Sequence, residues 1–175
     1  MSVFLQPIYT QTVGSGGAAT VTFNNIPQTF TDLKIVMSVR SAVSTQDNFM
    51  MRFNGDTGFN YDNLLLYGGG VSAGSGEDVG QNRMNIGPGI AGNTFSANAF
   101  ASIEVYIPGY SGGNYKTSIS DFVTENNGAT NYMSMNANLW VSNNPINSVT
   151  FYNLSGSNIT QYSTFSLYGV LRAGI

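Results

Sequence analysis

The chain has 175 residues, yet only 9% of them are Asp, Glu, Lys or Arg, far below the roughly 25% of an ordinary soluble domain. The net charge is −3 and the six cations are scattered as Lys34, Arg40, Arg52, Arg83, Lys116 and Arg172, which argues against a clustered basic surface for nucleic acid. The absence of Cys excludes disulfides, thiol nucleophiles and sulfur-bound zinc, and the absence of His removes the usual neutral-pH base and the commonest transition-metal ligand.

Polarity comes instead from Asn, Ser, Thr and Gly, which suit strands and turns better than solvated helices. The amino terminus "MSVFLQPIYTQTV" has no basic region followed by an apolar run, so no secretory signal is expected. No window reaches the roughly 18 continuous apolar residues of a membrane helix. Phe4, Leu5 and Ile8 lie ahead of the first clear strand. They are expected either to anchor an arm over residues 1–8 to a shell or a neighbouring subunit, or to form an ordinary edge strand.

In chain order, "PIYTQTV" and "AATVTF" read as strands. "TDLKIVMSVR" follows with strict alternation, placing Leu33, Ile35, Met37 and Val39 on one face and Lys34, Ser38 and Arg40 on the other. After "NFMMRF" comes "NGDTG", where Asn-Gly is the strongest short hairpin signal. Asp56, with Asn54 and the Thr57 hydroxyl, is the only metal candidate, and a turn is the favoured alternative. "YGGGVSAGSGEDVGQ" carries few core residues and predicts an exposed loop of roughly a dozen residues somewhere between Gly68 and Asn98.

"NRMNI" and "ASIEVYIP" are the next strands, the second with Ile103, Val105 and Ile107 aligned. In "YKTSISDFVT" the apolar set is Thr117, Ile119 and Val123, and in "NYMSMNANLWV" it is Met133, Met135, Ala137, Leu139 and Val141. Both sets are expected to be half-buried faces. Trp140 then falls on the opposite face, against a partner or a loop. "TENNGATNYM" is read as a hairpin or loop, and "NSVTFYNL" and "STFSLYGVL" close the series. The whole predicts one all-β domain over residues 9–175, an antiparallel β-sandwich or jelly roll of about eight to ten short strands with long surface loops.

Catalysis by paired carboxylates needs two acids at a fixed separation. The neighbouring acids are Asp56 with Asp62, Glu77 with Asp78, and Asp121 with Glu125, none of them in a recognisable motif. No enzyme and no cofactor is therefore expected, with a glycoside hydrolase as a minor third reading.

Three stretches carry a family resemblance. "GAATVTFNNIPQTFTDLKIVMSVRS" resembles the "VTF-x-x-IPQTYTDL" opening of a family of virion proteins of tailed bacteriophages, especially phages of cyanobacteria and other aquatic bacteria. "RFNGDTGFNYDNLLLYGGG" is similar to that family's second motif, and "QYSTFSLYGVLRAG" to its closing strand, usually "STATLYGIK". The match runs from Tyr9 to Gly174. It implies a jelly-roll module on the virion exterior, made in the host cytoplasm, with no catalytic residue. Because family members are often terminal domains of longer fibres and here only residues 1–8 precede the module, the expected role is a capsid decoration (cement) protein. Its expected partners are the major capsid protein and itself, as a homotrimer, with no nucleic acid and no membrane. The alternative is a tail-fibre or head-fibre module recognising host surface glycans. Phe4, Leu5, Ile8 and Trp140 are the expected interface residues.

Overall fold

A computed structural model describes residues 3–124 and 132–172. Among them there is no helix, so none is long and apolar enough to cross a membrane. The described residues form twelve antiparallel strands in two sheets. The large sheet runs, in spatial order, β1 (Val3–Thr12), β12 (Thr164–Arg172), β3 (Asp32–Val39), β8 (Ala101–Pro108), β9 (Lys116–Thr124), β10 (Tyr132–Trp140), β5 (Tyr61–Gly69) and β6 (Ser72–Gln81). The small sheet is β2 (Thr20–Phe23), β11 (Val149–Asn153), β4 (Asp47–Phe53) and β7 (Met84–Ile90). Four pairs are nested in sequence: β1 with β12, β2 with β11, β3 with β8, and β4 with β7.

Inward-facing residues of the two sheets meet in one core, the normal arrangement of a β-sandwich. Leu33, Ile35, Met37 and Val39 of β3 and Ile103, Val105 and Ile107 of β8 are fully buried, as their alternation predicts. From the facing sheet come Phe49 and Phe151, which stack at 6.2 Å, and Phe151 lies 5.5 Å from Phe165 of β12. Such ring pairs add roughly 1 kcal/mol each beyond burial.

Ten of the strands coincide with the ten segments read from the sequence, and two were not anticipated. The stretch expected as a loop is instead a hairpin, β5 and β6, closed by Gly70 and Val71 with Gly69 paired to Ser72. Gly70 sits at φ 58°, where glycine carries no steric penalty. Its Gly and Ser content hides β6, because that strand buries almost nothing and so shows no alternation. The long loop of this region lies later, over residues 91–100.

Residues 3–8 belong to a strand that continues to Thr12 along the edge of the large sheet, so the arm boundary after residue 8 is replaced by the edge-strand alternative. "TENNGATNYM" falls mostly on residues 125–131, outside the described residues. The Asn-Gly turn is present, with Asn54 at φ 53° and Gly55 at φ 65° and the Asp56 N–H donating to the Phe53 carbonyl at 2.9 Å. It closes no hairpin, however. β4 and β5 lie in different sheets, so the turn is the corner by which the chain crosses the sandwich. The Asn54 side chain fastens that corner, its Oδ1 accepting from Asn147 N–H and Ser148 N–H at 2.8 and 3.0 Å.

Candidate interaction face

The corner after β4 leads to Asp56, and three donors converge on its carboxylate. Trp140 Nε1 donates to Oδ2 at 2.7 Å, Asn60 Nδ2 to Oδ2 at 3.0 Å, and the Gly58 N–H to Oδ1 at 2.8 Å. Burial pushes the Asp56 carboxyl up, but these hydrogen bonds and the Arg52 charge outweigh it and hold it below its usual 3.8. N–H groups point their positive ends at the oxygens a cation would need, so the expected metal candidate is a structural acceptor. Among the described residues no group of three or more acids gathers anywhere.

A carboxyl with a lowered folded pKa stabilises above its unfolded value, and that contribution fades as pH falls through the folded one. Trp140 fluorescence during denaturation should therefore show Asp56→Ala to cost about 2 kcal/mol at neutral pH, the usual penalty for a buried donor left unpaired. The difference from the parent should shrink below pH 3.8. A chelator should leave the melting temperature of either protein unchanged, and a clear drop would restore Asp56 as a ligand.

Trp140 itself is 2% exposed, edge-on to Phe53 at 5.6 Å and stacked on Tyr61 at 6.3 Å. It is a core residue and not an interface residue. Its position reveals that β9 and β10 face the opposite way from the sequence expectation. On β10, Ser134, Asn136, Asn138 and Trp140 point into the sandwich, and on β9, Lys116, Ser118, Ser120, Phe122 and Thr124 do. Ile119, Val123, Met133 and Met135 point outward.

The cause lies in β7, which passes beneath these strands. A Cβ built on Gly87 would lie 2.8 Å from Ile103 Cδ1, 3.2 Å from Phe122 Cδ2 and 3.3 Å from Phe49 Cβ, so the layers are close there. Small polar side chains fit the gap. Asn138 Nδ2 donates to Ser118 Oγ at 3.3 Å, and Asn136 Nδ2 to Ser134 Oγ at 3.1 Å. Satisfaction is incomplete: Ser120 Oγ, Thr124 Oγ1 and Asn138 Oδ1 are buried without a protein partner, a costly arrangement. Lys116 is also buried, its Nζ donating to the Asn114 carbonyl, and burial lowers its pKa.

Outside, register assembles a contiguous apolar surface. Leu66 of β5 stands opposite Met135, Met133 opposite Val123, and Ala137 between Leu64 and Ile119. Leu64, Leu66, Ile119, Val123, Met133 and Met135 each leave 50% to 63% of their surface exposed. Leu66, Val123, Met133 and Met135 border an open groove of about 760 Å³, with Glu104 and Asp121 also in its lining. Lys34 of β3 bridges to Glu104 at 2.8 Å, an exposed pair of little energetic weight.

Of the other expected interface residues, Phe4 and Leu5 are exposed on β1, at the far edge of the large sheet from β5, and Ile8 packs against the core. They do not join the apolar face. Among the singled-out acids, Asp62 Oδ1 accepts from the Gly80 N–H at 2.7 Å, Glu77 and Asp78 lie on the exposed edge strand β6, and Glu125 lies outside the described residues. The face on β5, β9 and β10 escaped the sequence reading because alternation reports two faces without saying which is buried. A signal was available: Phe122 and Trp140, the largest side chains of those strands, share the parity of the small polar residues.

Fold and site together define an antiparallel β-sandwich whose large sheet carries an exposed apolar face on β5, β9 and β10. Neither a protein-family model nor a curated protein matches the chain.

Proposed function

We propose that this protein is a non-enzymatic structural component of a virion exterior, a capsid decoration protein that bridges subunits of the major capsid protein and assembles as a homotrimer. The observation that carries the reading is the apolar face of β5, β9 and β10. The close passage of β7 accommodates Ser and Asn inside, but it leaves Ser120, Thr124 and Asn138 with buried unpartnered atoms and Leu, Ile and Met in solvent, a costly combination. A protein that keeps that arrangement has a use for the outer surface, and such patches mark contact with other macromolecules.

The strand order supports a jelly roll. With β5, β6, β9 and β10 set aside, the remaining strands pair as one long hairpin folded over on itself, from β1 with β12 inward to β4 with β7. The face then sits on the two hairpins added to that frame. The motifs that resemble phage virion proteins supply the setting, and bridging by many modest contacts would resist internal pressure. Glycan recognition at a fibre tip has less to rest on. Exposed Phe59 and Tyr115 lie toward the end of the sandwich that holds Trp140, and Tyr162 lies toward the opposite end.

Quantitative mass spectrometry of purified particles should find hundreds of copies per virion, and stripping the protein should lower heat and pressure resistance. A few copies per particle, or unchanged resistance, would overturn the decoration role.

A further inference from the structure

We propose that the outward face of β5, β9 and β10 is the surface through which copies of this chain associate, each covering the apolar side chains of another. This rests on reading the face as an assembly surface, and not on which particle carries it.

Area is the first argument. The six half-exposed residues and Tyr106 present roughly 700 Å², more than the ~300–600 Å² typical of the largest patch on a monomer. It is close to the ~800 Å² per partner of a standard interface. Charge is the second. Lys34 pairs with Glu104, and the other acids of the face are Asp121, opposite Met135, and Glu77, opposite Leu64, so the face is poor in cations and carries three acids among its apolar side chains. The same scarcity of cations disfavours an anionic lipid surface or a nucleic acid as occupant. Met133 and Met135 lie near the centre, and their unbranched side chains adapt to an identical partner more readily than β-branched ones would.

Edges supply the third argument. β1 and β6 end the large sheet, the usual places for strand-to-strand association. β1 carries Pro7 and an irregularity between Pro7 and Tyr9, and β6 carries Glu77, Asp78 and a register shift opposite Asp62. Proline, charge and bulges are the devices that discourage edge pairing. Association is thereby directed to the face.

Native mass spectrometry and light scattering of the purified chain should show an oligomer. Leu66→Glu and Met135→Glu, each placing a charge at the centre of the contact, should weaken it at least about thirtyfold. Phe4→Glu, on the distant edge, should leave assembly intact. Unchanged melting of the two central variants at low protein concentration separates lost association from lost folding. Peroxide oxidation gives a second readout, since Met133 and Met135 are exposed whereas Met37, Met50, Met51 and Met84 are buried. Met133 and Met135 should be slow to oxidise in the assembled parent and fast in Leu66→Glu.

A monomeric parent, an oligomer indifferent to both central substitutions, or equally fast Met133 oxidation in parent and Leu66→Glu would each overturn the proposal. A monomeric parent that still binds particles in high copy through this face would leave the decoration role standing and assign the face to the shell. An oligomer absent from particles would do the reverse.

Discussion

Replacing Arg40 by methionine is expected to destabilise the protein by about 3 kcal/mol or more and to free the loop between β7 and β8. Arg40, just past the end of β3, is 8% exposed, although the alternation of "TDLKIVMSVR" predicts a solvated side chain. Its guanidinium meets no carboxylate among the described residues. Instead Nη1 donates to the carbonyls of Ser96 and Ala99 at 2.7 and 3.0 Å, and Nη2 to those of Gly92 and Phe95 at 2.9 and 3.1 Å. Four carbonyl dipoles thus hold one buried charge, and hydrogen bonds to a charged group are worth ~1.5–3 kcal/mol each when desolvated. Methionine keeps much of the volume and none of the donors. Chemical denaturation should register the loss, and amide exchange at Gly92 to Ala99 should quicken. Lysine, with its single-point ammonium, should rescue only part. A cost below about 1 kcal/mol with unchanged exchange would show that the loop is held by other contacts, such as the Asn93 and Thr94 N–H groups donating to Val43 and Ser44 carbonyls.

Trp140→Ala should cost about 4 kcal/mol, the usual range for truncating a buried tryptophan. Two losses combine there. The contacts with Phe53 and Tyr61 disappear, and Asp56 loses its Nε1 donor. Trp140→Phe separates them in part, since it keeps one ring while removing the hydrogen bond and some of the indole's packing, for which about 2 kcal/mol is expected. Combining Trp140→Phe with Asp56→Ala should cost clearly less than the sum of the single changes, because both remove the same bond. Additive costs would mean that the two groups act independently. A surface role for Trp140 would instead leave stability nearly unaffected by alanine.

The β-rich class was legible because scarce charge, abundant Asn, Ser and Thr, and period-two alternation all favour strands, and ten of the strands announced themselves in this way. The glycine-rich β6 did not, since a strand that buries no side chains leaves no periodic mark. Asp56 and Arg40 show a related limit. Each has a polar side chain whose partners come from distant segments, Trp140 in one case and the loop of residues 92–99 in the other. Nothing local to either residue announces those partners.

Ten of the strand positions, the Asn-Gly turn and the β3 and β8 faces of the core were set by the sequence alone, through alternation and backbone preference. The orientation of β9 and β10 was decided by the tertiary structure. Their two faces differ in polarity in a way that either assignment could use. The close passage of β7 at Gly87 leaves room inside for Ser and Asn together with Phe122. Leu66, Val123, Met133 and Met135 are thereby turned outward, onto the surface where a partner can reach them.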